Sequence, residues 1–332
     1  MQRNQLLDLA KGFAIVLVVM GHAIQYNLPN AFDGNIFFKS IYAFHMPLFM
    51  FISGYVAFGT FRGEAQKFVK RLKTLMLPFF SWFLLGYFVM FIISLFTHGY
   101  QPPFLDSLKK VITFPDHGLW FLWVLFLNYF LLFIALNITK HREEILLMLF
   151  VVLLNVELEY FNLHKYGIRL TSWHLCFFTI GYMFSKYSLF LSRAMQYIGW
   201  VCLLLFPFLL IYWSRTSAPA FIFMIADCHG IQTTLTYIFN ATVGMTGILA
   251  VFRLLNVYLN SSLLFKDQLI RLGALTLEIY ATHMMLLPYL VLFTPFFAVN
   301  VLITFVLAIG IAYLLQGWIK KVKLLGELLY GK

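Results

Sequence analysis

The sequence predicts an all-α, polytopic membrane bundle of about ten transmembrane helices, both termini cytoplasmic, with residues 1–332 as a single domain. Three observations predict it. Of 332 residues, 62% are hydrophobic and 11% charged, with a mean hydropathy of +0.85, whereas a soluble domain is about a quarter charged. Stretches close to the ~20 apolar residues that cross a bilayer recur along the whole chain. The basic residues between them alternate in abundance, as the positive-inside rule requires.

The expected spans are 6–26, 37–60, 77–97, 119–138, 144–161, 168–186, 196–213, 233–256, 269–290 and 295–318. With the N-terminus inside, the cytoplasmic segments hold Arg3, Arg62, Lys67, Lys70, Arg71, Lys73, Lys140, Arg142, Lys186, Arg193, Arg253, Lys266, Arg271, Lys320, Lys321, Lys323 and Lys332. The outer segments hold only Lys109, Lys110, Lys165, Arg169 and Arg215, while Lys11 and Lys39 lie within spans. Pro102, Pro103 and Pro115 make the outer loop 98–118 irregular, and 214–232 is the other long outer loop. The formal charge of +11 follows from the cytoplasmic loops, and no motif or soluble basic face points to nucleic acid. Cys176, Cys202 and Cys228 show no metal or redox spacing. The first span has polar interruptions and no small-residue cleavage site, so it is expected to remain in the chain. No internal repeat of the kind found in many transporters is visible.

The first span, LLDLAKGFAIVLVVMGHAIQY, carries Asp8, Lys11 and His22. Ionisable groups at membrane depth are costly and mark sites. Eleven residues at ~100° each return to nearly the same direction, so Lys11 and His22 share a face about 16 Å apart, with Asp8 one turn below Lys11. Lys11 falls in the inner half and His22 in the outer half. His45, His174 and His283 lie at similar outer depth in three other spans, and Asp116 and His117 open the fourth. Together these suggest a shared polar cavity, although each of His45, His174 and His283 taken singly better suits a histidine bonded to neighbouring backbone, whereas His22, on the stripe with Lys11, favours a functional role. In the second span, FHMPLFMFISGY, Pro47 can kink the helix, and Ser53 and Gly54 permit close helix approach. The basic stretch from Arg62 to Lys73 anchors at the cytoplasmic surface or holds phosphates of an anionic cosubstrate. On residues alone, the Asp8–Lys11–His22 stripe fits an ion path in a proton-coupled permease as well as an enzyme site.

The ordered blocks DLAKGFAIVLVVMGH, FHMPLFMFISGY, KRLKTLMLPF, LWFLWVLF and LTLEIYATH resemble the signatures of the membrane acyltransferase-3 family, with wording closest to its fucose 4-O-acetylase-like branch. The resemblance spans nearly the whole chain. It implies transfer of an acetyl group from acetyl-CoA, without a metal, to a sugar hydroxyl of an envelope glycan or lipid-linked sugar, in a bacterial cytoplasmic membrane. The family's basic-X10-His motif maps onto Lys11 and His22; many members carry arginine in the first place, and lysine supplies charge without the guanidinium fork. Its later blocks map onto Pro47, Ser53 and Gly54, onto Arg71 and Pro78, and onto Trp120 and His283. His22 is then expected to be the general base and Lys11 to meet the anionic part of CoA. Ser53, Tyr55 and Trp120 are candidate oxyanion donors, and Asp116 or a neighbouring carboxylate a candidate orienting group. Asp8, His45, His117 and Arg71 complete the expected binding set. A non-catalytic sensor built on the same domain is a third reading.

Overall fold

The computed structural model describes residues 4–331 apart from 140, 162–163, 216, 218, 221, 223–231, 263 and 292–295, and omits the side chains of 117, 157–160, 191 and 232–233. Cys228 therefore lies outside the described residues. Helices dominate: α1 Gln5–Asn27, α2 Ile36–Tyr42, α3 His45–Thr60, α4 Ala65–Thr97, α5 Phe104–Thr113, α6 Trp120–Ile138, α7 Glu143–Phe161, α8 Ile168–Lys186, α9 Arg193–Tyr212, α10 Gln232–Leu259, α11 Lys266–Ala274, α12 Thr276–Leu286, α13 Phe297–Ile319 and α14 Lys323–Tyr330. No strand occurs among the described residues. Seven helical segments of the described chain have the length and composition to cross a membrane. The chain is a multi-pass helical membrane protein.

Three expected spans fall outside those seven. Residues 144–161 and 168–186 form the continuous helices α7 and α8. Residues 269–290 are discontinuous: α11 ends, Leu275 takes φ −113° and ψ 18°, and α12 restarts at Thr276. The second expected span is also broken, into α2 and α3 at Ala43–Phe44. Pro47 has no N–H to donate to Ala43 and sits in the first turn of α3, where such a donor is not needed, so it begins a helix instead of bending one.

Local chemistry sets the other helix ends. The Asn4 side chain accepts from the amides of Leu6 and Leu7 at 3.1 and 3.3 Å and starts α1. Asn35 caps α2 through the Phe38 amide at 3.1 Å, and Ser192 caps α9 through Met195.

The described chain divides into two compact units. The first comprises Met1–Gly59 and Cys176–Gln316. Within it α1 lies along α11, and α9 along α10. Two crossings are made at glycines. A Cβ on Gly12 would stand 1.8 Å from the Leu269 carbonyl oxygen, and one on Gly273 would stand 1.9 Å from that of Asp8. Likewise Gly54 faces the Phe178 carbonyl at 1.9 Å and Gly181 that of Phe51 at 2.0 Å. Each pair lets two backbones touch where any side chain would hold them apart. Gly54 thus has the close-approach role expected of it.

The second unit comprises Thr60–Leu175 and Gly317–Lys332. The 33-residue α4, with Pro78 inside it, packs against α6 and α14. Trp82 Nε1–H donates to the Leu329 carbonyl at 2.7 Å, fixing the C-terminal helix.

Candidate active site

Helix α1 carries polar groups at both ends. Near its N-terminal end Lys11 Nζ lies 3.5 Å from Asp8 Oδ1. Asp8 is buried and Lys11 half-buried, and the Gly12–Gly273 crossing sets the C-terminal end of α11 against the Asp8 backbone.

Eleven residues further, about 16 Å along the axis, His22 enters a cluster drawn from four helices. The His283 ring from α12 lies 5.5 Å away, centroid to centroid. Tyr42 from α2 meets His22 edge-on at 6.1 Å and His45 from α3 at 4.7 Å. Three of the expected histidines, His22, His45 and His283, are thus brought together.

Their hydrogen bonds differ. His45 Nδ1–H donates to the Ile41 carbonyl at 2.8 Å, and His283 Nδ1–H to that of Ile279 at 2.9 Å. Both imidazoles are buried, 3% and 0% exposed, so for these nitrogens the backbone-bonded alternative holds. His22 is half-buried and is held by side chains: its Nδ1 lies 3.1 Å from Gln25 Oε1 and 3.3 Å from the Tyr42 hydroxyl, which donates to Gln25 Oε1 at 3.0 Å. His283 Nε2, also buried, has no hydrogen-bond partner among the described residues.

Gln25 and Tyr42 were not expected at the site. Gln25 was findable, three residues after His22 and so on the same helical face. Tyr42 needed the break between α2 and α3. Glu278, likewise outside the expected set, is a fully buried carboxylate in α12.

The other expected residues have contacts of their own. Ser53 and Tyr55 lie eight and ten residues beyond His45, about 12 and 15 Å down α3. The Ser53 hydroxyl donates to the Phe49 carbonyl at 2.8 Å, and Tyr55 packs on Phe190 with centroids 5.6 Å apart. In the second unit the Arg71 guanidinium lies over the ring of buried Tyr129 at 4.9 Å, and Trp120 stacks on buried His174 at 5.1 Å and 23°. Asp116 is exposed in the short helical turn Pro115–His117; the His117 side chain lies outside the described residues. Among the described residues no three His, Cys, Asp or Glu side chains converge as a metal site would need.

An imidazole cluster near the C-terminal end of α1, with an ion pair of buried Asp8 and half-buried Lys11 near its N-terminal end, defines a membrane protein with an intramembrane polar site. Residues 4–317 match the acyltransferase-3 family, described as an acyltransferase domain, and the chain belongs to that family. It is similar to the nodulation protein NolL of Mesorhizobium japonicum, 35% identical over 135 residues covering 39% of this chain and 35% of the relative. It is also similar to the nodulation protein NolL of Sinorhizobium fredii, 29% identical over 191 residues covering 55% of this chain and 49% of the relative. The chain thus spans half or less of the curated relatives it matches. No solved structure matches it.

Proposed function

We propose that the protein is a membrane O-acetyltransferase of the bacterial cytoplasmic membrane, moving an acetyl group from cytoplasmic acetyl-CoA to a sugar hydroxyl of an envelope glycan. Family membership supports the acyltransferase class. One observation carries the assignment of the base: of the three clustered imidazoles, only His22 is half-buried and oriented by side chains instead of its own helix backbone.

A sugar hydroxyl is a poor nucleophile at neutral pH. His22 takes its proton as the oxygen attacks the thioester carbonyl; the C–S bond then breaks, and the proton is returned to the departing thiolate. Lys11, ~16 Å inward, offers positive charge for the anionic part of CoA, held in place by Asp8. Arg71, which the family's basic-to-proline block matches, is assigned to the same donor. The pantetheine arm then bridges the inner charge and the outer imidazole, while the acceptor arrives from the outer face.

The test is transfer of labelled acetate from acetyl-CoA to glycan by purified protein, together with the O-acetyl signals of surface polysaccharide in wild-type and deletion cells. Label in the glycan and loss of its O-acetyl signals on deletion are expected. A permease using the Asp8–Lys11–His22 stripe would consume no acetyl-CoA, and unchanged O-acetyl signals would overturn the proposal.

A further inference from the structure

His22 is gripped on one edge of its ring. Gln25 stands one turn further along α1, and its Oε1 lies 3.1 Å from His22 Nδ1. The same oxygen accepts from the Tyr42 hydroxyl at 3.0 Å. Tyr42 is itself fixed: Phe38, fully buried, stacks on its ring at 3.8 Å, and Phe32 meets Phe38 edge-on at 4.8 Å.

An amide oxygen has lone pairs and no proton, so only an N–H on Nδ1 can bond to it. A neutral imidazole carries a single N–H, which leaves the lone pair on Nε2. We propose that Gln25, oriented by Tyr42, is a positioning residue that holds His22 in the tautomer whose basic nitrogen is Nε2. The proposal rests on the reading of His22 as base and adds which nitrogen acts and what selects it. Without the grip, the two tautomers exchange and the ring turns, so only part of the population presents a lone pair to the hydroxyl. With it, the Nδ1–H of the imidazolium formed during attack keeps an acceptor already in place, and the positive charge develops against a dipole that need not reorient. This is work a carboxylate does in many hydrolytic triads, performed here by a neutral amide at membrane depth, where a buried charge would be expensive.

The opposite amide rotamer would donate to Nδ1 and force the proton onto Nε2. Gln25→Glu separates the two, because a carboxylate only accepts. With purified protein, labelled acetyl-CoA and de-O-acetylated glycan from cells lacking the protein, Gln25→Leu is expected to lower kcat roughly tenfold to hundredfold, part of the whole contribution of a general base. KM for both substrates should stay within about threefold, since tautomer selection acts on the chemical step. Gln25→Glu should return kcat to within about tenfold of wild type, because the acceptor is retained. Nitrogen-15 NMR of labelled histidine in detergent micelles should show a protonated, pyrrole-type Nδ1 at His22 in the wild type and an exchange-averaged signal in Gln25→Leu. A wild-type kcat in Gln25→Leu, a Gln25→Glu as impaired as Gln25→Leu, or a pyridine-type Nδ1 in the wild type would overturn the proposal. The NMR signature is independent of turnover, so a tautomer lock found alongside an active His22→Ala would instead remove the base assignment.

Discussion

Gly12→Ala is the most direct test of how α1 is held. The added methyl would stand 1.8 Å from the Leu269 carbonyl oxygen and 2.7 Å from its carbon, with the Gly273 amide nitrogen at 3.1 Å. All three are backbone atoms, so no side chain can rotate away. Ordinary contact begins near 3.4 Å, and α1 and α11 must separate by roughly 1.5 Å, losing dispersion along the whole crossing. Overpacking with a single methylene costs about 1–3 kcal/mol, and a rigid backbone obstacle belongs at the upper end, about 3 kcal/mol. At about 2 °C per kcal/mol for a chain of this size, the melting temperature in detergent should fall by at least about 5 °C. Gly273→Ala meets the Asp8 carbonyl at 1.9 Å and should cost as much. The double substitution should cost less than the sum, because helices already parted admit the second methyl more cheaply. Melting is followed by fluorescence-detected size exclusion after heating. A Gly12→Ala protein with the wild-type melting temperature would refute the crossing.

The Gly54–Gly181 crossing predicts the same behaviour, with Gly54→Ala and Gly181→Ala each lowering the melting temperature and combining sub-additively. Lys11→Met should raise KM for acetyl-CoA about tenfold, the loss of one charge-assisted contact, and Lys11→Arg should retain affinity; equal KM values in all three proteins would deny Lys11 a role with the donor. Trp82→Phe removes the 2.7 Å hydrogen bond to the Leu329 carbonyl and leaves that buried acceptor unpaired at a cost of about 1–3 kcal/mol. It should speed proteolysis within Lys323–Tyr330, and an unchanged cleavage rate would contradict the anchor.

The membrane class and the polar residues of α1 were legible in the sequence because both are local: apolar length, loop charge and an eleven-residue spacing are properties of short windows. The breaks were less so. Ala43–Phe44 is signalled by Pro47 downstream, but the break at Leu275 has no proline near it, Pro288 being thirteen residues on, and only Gly273, needed for the crossing, marks the place. The glycine crossings were half visible. Gly54 stood in a recognisable block, whereas Gly12 and Gly273 meet from opposite ends of the chain and form no motif. The grip on His22 combines both cases, Gln25 being readable from helical spacing and Tyr42 only from the folded arrangement of α2. The Ser53 hydroxyl, a candidate oxyanion donor in the sequence, turns back to its own backbone toward Phe49, as a serine within an apolar helix readily does, and no local pattern in the sequence signals that.

The central claim is that His22 is the base of an acetyl transfer, and the most direct measurement compares wild-type and His22→Ala protein, at equal membrane level, for transfer of labelled acetate from acetyl-CoA to glycan. Loss of roughly 10²–10⁴-fold in kcat is predicted, the span of a general base. Glycan acetylation at the wild-type rate in His22→Ala would contradict it.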